Sequence, residues 1–101
     1  PIGSPTASEN VTMFYTANAV TITSVAHAVQ GASGSVTFSV GWGASRNGAQ
    51  TLIYSTTSTS QTGTVVTGGL TNQSITAGSW VWVTTSAVVA TTTEFAISLG
   101  T

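Results

Sequence analysis

Along most of this chain, hydrophobic residues recur at every second position in short runs, and the runs are separated by clusters of glycine and serine. That period is the one of a β-strand with a buried face. It is cleanest in Ser35–Trp42, where Val36, Phe38, Val40 and Trp42 are predicted to point inward and Thr37, Ser39 and Gly41 outward. Thr93–Leu99 repeats it, with Phe95, Ile97 and Leu99 inward and Glu94, Ala96 and Ser98 outward. Asn10–Thr16 puts Val11, Met13 and Tyr15 on one face and Phe14 on the other. Ala19–Gln30 is the longest such pattern, and its apolar phase flips near Ser24. The flip is met either by a bulge that restores one inward face or by one long strand whose two ends bury different sides. Gln50–Tyr54 reads as a short strand, Ser55–Gln61 as a loop or a flat edge strand, and Thr62–Thr67 as a weak strand. Gly31–Gly34, Arg46-Asn47-Gly48, Gly68-Gly69 and Ala77-Gly78-Ser79 are turn signals. No segment carries an apolar stripe at helical spacing.

The organising stretch is Ile75–Ala87, which contains Trp80-Val81-Trp82-Val83. Alternation sends Trp80 and Trp82 to one face and Val81 and Val83 to the other, so both faces are apolar. One pair is expected to meet the domain's own core and the other a second layer or another chain. The fold class that follows is all-β: an antiparallel β-sandwich of about seven or eight short strands, with the jelly roll as its closest variant. Residues 1–9 form an expected N-terminal extended arm holding both prolines, and residues 10–101 one β-sandwich domain.

Composition narrows the function. Of 101 residues only 3% are charged, against roughly 25% in an ordinary domain, while Ser and Thr make up about a third. A net charge of -1 gives weak self-repulsion and favours association. Nothing here forms a basic patch for nucleic acid, and no apolar run is long enough for a membrane helix. With no cysteine, one histidine and two carboxylates, the chain offers no metal or cofactor site. Glu9 and Glu94, far apart in the chain, do not suggest a glycosidase pair. His27 in an apolar strand reads as a packed, hydrogen-bonded side chain, because no third group is present to orient it for nucleophilic catalysis. Catalytic residues are therefore expected to be absent. Gly41-Trp42-Gly43 lacks the spacing of a nucleotide-binding loop. Arg46, the only Arg, is read as a solvated loop charge, with a clamp on Glu9, Glu94 or a partner's carboxylate as the alternative. Trp42, Tyr54, Trp80 and Trp82 read first as core packing and second as a sugar-stacking platform.

Ser35–Gly43, Ser45-Arg46, Ile75–Val83 and Thr93–Ile97 together resemble small all-β modules of tailed-bacteriophage virions, found in head decoration (cement) proteins and in tail-fibre or appendage proteins. The similarity runs from about Val20 to Leu99 and rests on strand-and-turn patterns. Such modules often carry an acidic residue just after the Trp strand, where this chain has Thr84. The resemblance implies a structural or adhesive role, commonly as a trimer, and transfers no catalytic residue. A chain that begins at Pro1 fits a complete short protein that has lost its initiator Met, which favours decoration over a fibre tip. The expectation is thus a homotrimeric protein on the capsid exterior, bound to the major capsid protein, with Pro5, Arg46, Tyr54, Trp80 and Trp82 as interface candidates. The alternative is a receptor- or carbohydrate-binding domain of a tail fibre, whose partner is a glycan.

Overall fold

The structure, a computed structural model, describes residues 2–101, and all its regular elements are strands. In chain order these are β1 (Ile2–Gly3), β2 (Asn10–Thr16), β3 (Val20–Thr21), β4 (Ser24–Gly31), β5 (Val36–Gly43), β6 (Thr51–Ser58), β7 (Thr64–Val66), β8 (Ser74–Ile75), β9 (Ser79–Val88) and β10 (Thr92–Gly100). The first sheet has the order β1-β10-β4-β7 and the second β2-β9-β5-β6, and β3 with β8 makes a small separate pair. Every pairing is antiparallel. The pairs are nested. β1 joins β10, β2 joins β9, β4 joins β7 and β5 joins β6. A ribbon folded on itself in this way, with eight strands in two packed sheets, is an antiparallel β-sandwich.

The core lies between the sheets and is built from the alternating positions. Val36, Phe38 and Val40 of β5, Val81 and Val83 of β9, Val25 and Val29 of β4, and Phe95 of β10 are all buried. The rings of Phe38 and Phe95 meet across the two sheets at 5.1 Å between centroids. Burying each such side chain contributes about 1.5–3 kcal/mol, and these residues supply most of what holds the layers together.

Several expectations are refined by pairing. Ala19–Gln30 is neither a bulged strand nor one continuous strand. The chain leaves β3 at Ile22-Thr23 and enters β4 in a different sheet, so the inward side reverses where the sheet changes. Gln73 brackets this crossing: its carbonyl accepts from the Ile22 N–H and its side-chain amide donates to the Ile22 carbonyl, both at 2.8 Å. In β2 the register shifts between Thr12 and Phe14. Val11 and Phe14 consequently share a side, opposite Val83 and Val81, while Tyr15 stands opposite Trp80. Of the Ser/Thr stretch, residues to Ser58 belong to β6, the edge strand of the second sheet. The Trp strand continues through the connection to Val88.

Residues 2–9 lie against the same molecule. Ile2 and Gly3 pair with Phe95 and Glu94, and the Ser4 N–H donates to the Thr93 carbonyl at 2.8 Å. Pro5 is buried where the chain crosses from the first sheet to the second. Thr85 pins that crossing. Its hydroxyl accepts from the Glu9 N–H at 2.9 Å and donates to the Thr6 carbonyl at 2.6 Å.

Candidate functional site on the outer face of the second sheet

Val81 and Val83 face the core, so Trp80 and Trp82 stand on the outer face of β9. Their fates differ. Trp82 is 3% exposed, whereas Trp80 is 37% exposed. The cover over Trp82 is the chain's own β5–β6 loop, residues 44–50, which folds back across the sheet. The guanidinium of Arg46 lies 4.6 Å from the centre of the Trp82 ring, within cation–π range. Its Nε donates to Thr12 Oγ1 at 2.9 Å and its Nη2 to Asn10 Oδ1, tying the loop to β2. The side-chain amide of Gln50 donates to the Trp82 carbonyl at 2.8 Å.

The two glycines of β5 make this cover possible. A Cβ at Gly41 would stand 2.3 Å from the Thr51 carbonyl oxygen and 2.6 Å from Gln50 Cγ. A Cβ at Gly43 would stand 3.1 Å from the Ala49 carbonyl oxygen and 3.2 Å from the Trp82 ring. Gly41-Trp42-Gly43 is therefore a landing strip for the loop. Between the glycines, Trp42 is half-buried against the core, and its indole N–H donates to the Asn72 carbonyl at 2.9 Å. The predicted turn at Arg46-Asn47-Gly48 is present, with the Gly48 N–H donating to the Ser45 carbonyl at 3.0 Å.

Beside the covered Trp82, about 7 Å along β9, Trp80 meets Tyr15 of β2. The ring centroids are 4.9 Å apart and the planes inclined at 55°. Tyr15 is 51% exposed. The pair forms a ridge set into two paired strands, entered through the Gly78 turn, whose N–H donates to the Thr16 carbonyl at 2.8 Å. A non-glycine residue would be strained at the Gly78 φ of 77°.

Of the five interface candidates, then, Trp80 and Arg46 come together on this face. Pro5 is buried at the sheet crossing and Trp82 beneath the loop. Tyr54 is half-buried, with its ring 6.5 Å from Phe38. Tyr15 was not among the candidates. Its position beside Trp80 depends on the extra residue at Met13, and nothing in the local pattern announces that bulge.

The remaining chemistry-bearing group is His27. It is buried on β4, 5.4 Å from the Phe38 ring, and its Nδ1 shares a 2.6 Å hydrogen bond with Ser58 Oγ of β6. The bond joins the two sheets inside the core. Burial pushes the imidazole pKa below its ordinary value of 6.5. Ser58 is itself fully buried, so this pair presents no hydroxyl to a substrate from outside. On the opposite side of the sandwich, the outer face of the first sheet carries a shallow trough of about 310 Å³. Ala26, Ala28, Ala96 and Ser98 form its floor and Val65 its wall.

Compared with models of protein families, with curated proteins and with solved structures, the chain finds no match.

Proposed function

We propose that this chain is a non-enzymatic structural protein of a virion, a head-decoration module that seats itself on the capsid exterior through its Tyr15–Trp80 ridge and associates with its own copies as a homotrimer. The observation that carries this reading is the ridge itself: two exposed aromatic rings, held by strand pairing and set next to a fixed Arg46. Trp, Tyr and Arg are the side chains that most often anchor protein interfaces, and anchors work best when their geometry is settled before contact. The surrounding surface is almost free of charge, so little desolvation cost opposes a close contact. The resemblance to phage virion modules points the same way. Weak individual contacts repeated over a shell lattice add up through multivalency.

A receptor- or glycan-binding role on a tail fibre is the second reading, favoured by the same exposed rings. Their 55° inclination makes a notch rather than a continuous flat platform, which places this reading second. The test is to mix purified protein with phage heads stripped of accessory proteins, and separately with immobilised glycans. Saturable binding to heads in a fixed ratio, abolished in Tyr15→Ala/Trp80→Ala, is the expected result. Binding to glycans but not to heads would replace decoration with adhesion.

A further inference from the structure

We infer that Arg46 is a preformed receptor for a carboxylate of the shell protein, placed beside the Tyr15–Trp80 ridge so that one partner surface meets both. This rests on the decoration reading. The side chain is already held in place: Trp82 lies under the guanidinium, and Thr12 and Asn10 take hydrogen bonds from one edge of it. Both of those partners are neutral, so the positive charge is positioned but not compensated. Among the described residues the Nη1 end donates to nothing, and Arg46 is half-buried, with that end left for an incoming acceptor. A planar guanidinium matches a carboxylate in a two-point contact, which a lysine cannot reproduce. The loss of side-chain freedom that usually weakens exposed ion pairs has been met in advance by Trp82, Thr12 and Asn10.

The chemistry of the partner follows from what contact would do. Seating a surface on the ridge removes water from Arg46, which lies over Trp82, the next residue on the same face of β9. An unpaired charge buried in that way is strongly disfavoured, so a partner that fits must bring an anion. The chain's own carboxylates are poorly placed to serve. Glu9 accepts from the N–H and the hydroxyl of Thr6. Glu94 lies on β10 of the other sheet, directed outward beside Ala96. A contact between Arg46 of one copy and Glu94 of another would join opposite sides of the sandwich and stack molecules in an open row, whereas a ring needs converging faces. The carboxylate is therefore that of a different protein.

The experiment uses stripped heads, untreated or with their carboxylates capped by carbodiimide and glycinamide, and measures bound protein at low and high salt. Wild-type protein should bind untreated heads, lose at least about tenfold in affinity on capped heads, and weaken with salt. Arg46→Gln should lose a similar factor on untreated heads, and Arg46→Lys should recover only part of it. Capping tests the inference without touching the protein, so a misfolded variant cannot imitate the result. If wild-type protein binds capped and untreated heads equally, the inference falls and the decoration reading stands. If it binds neither, both fall. Self-association that Glu94→Gln abolishes would assign Arg46 to a second copy and overturn the inference.

Discussion

At the scale of single residues, Glu9, His27 and Arg46 are each held by specific neighbours. Trp82 and Trp80 share a face and a chemistry, yet one is sealed beneath Arg46 and the other stands open beside Tyr15. His27 shows a similar pinning inside the core, where its Nδ1 shares a hydrogen bond with the Ser58 hydroxyl. Because burial favours the neutral imidazole, its folded pKa lies below the unfolded value of 6.5. The unfolded chain therefore binds the proton more readily, and stability rises with pH through that interval. The contribution is complete above about pH 6.5 and is lost as pH falls toward the folded value, with a slope of at most about 1.4 kcal/mol per pH unit. Urea unfolding between neutral and mildly acid pH should show the midpoint falling in wild type. In His27→Gln that slope should disappear. A wild-type midpoint that does not move across this range would contradict the assignment.

At the scale of elements, the pattern of inward residues was legible from the chain, and the pattern of covers was not. Val36, Phe38 and Val40 of β5, and Phe95 of β10, lie in the core where alternation puts them. The flip at Ser24 was visible, but its cause, a change of sheet between β3 and β4, required knowing the partners of both strands. The loop over Trp82 was invisible because its contacts join residues 44–50 to β2 and β9, and turn chemistry describes only the loop's own bend. The glycines of Gly41-Trp42-Gly43 carried a signal that reads, in retrospect, as close approach of a second backbone. Gly41→Ala should destabilise by about 1–3 kcal/mol through overpacking against the Thr51 carbonyl. Hydrogen exchange in that variant should also quicken across residues 44–50 before the core strands respond. Wild-type stability together with unchanged exchange would show that the loop does not need this contact.

At the scale of the whole molecule, the nested pairing means that the first strand finds its partner in the last, and the second in the next to last. Contacts of such long sequence separation demand loop closure before they stabilise anything, so folding is expected to be slow for a chain of this size, in the millisecond-to-second range. Stopped-flow refolding followed by tryptophan fluorescence measures this directly, and a microsecond phase that recovers the full native signal would be inconsistent with it. The same nesting draws residues 2–9 into the body of the sandwich, where the Thr85 hydroxyl and the β10 pairing hold them. An arm that reads as extended from its prolines is thus a sheet edge and a crossing between layers.

The chain by itself determined the strand content, the absence of a helical pattern and most of the inward-facing positions, because a period of two and the conformational demands of its turns are local properties. Only the tertiary structure decided which outward residues stay outside. Trp82 is covered and Trp80 is not, Arg46 lies half-buried over a ring, and Tyr15 joins Trp80 through a bulge. Those outcomes depend on which distant segments lie alongside one another, and alternation along a strand carries no information about its neighbours.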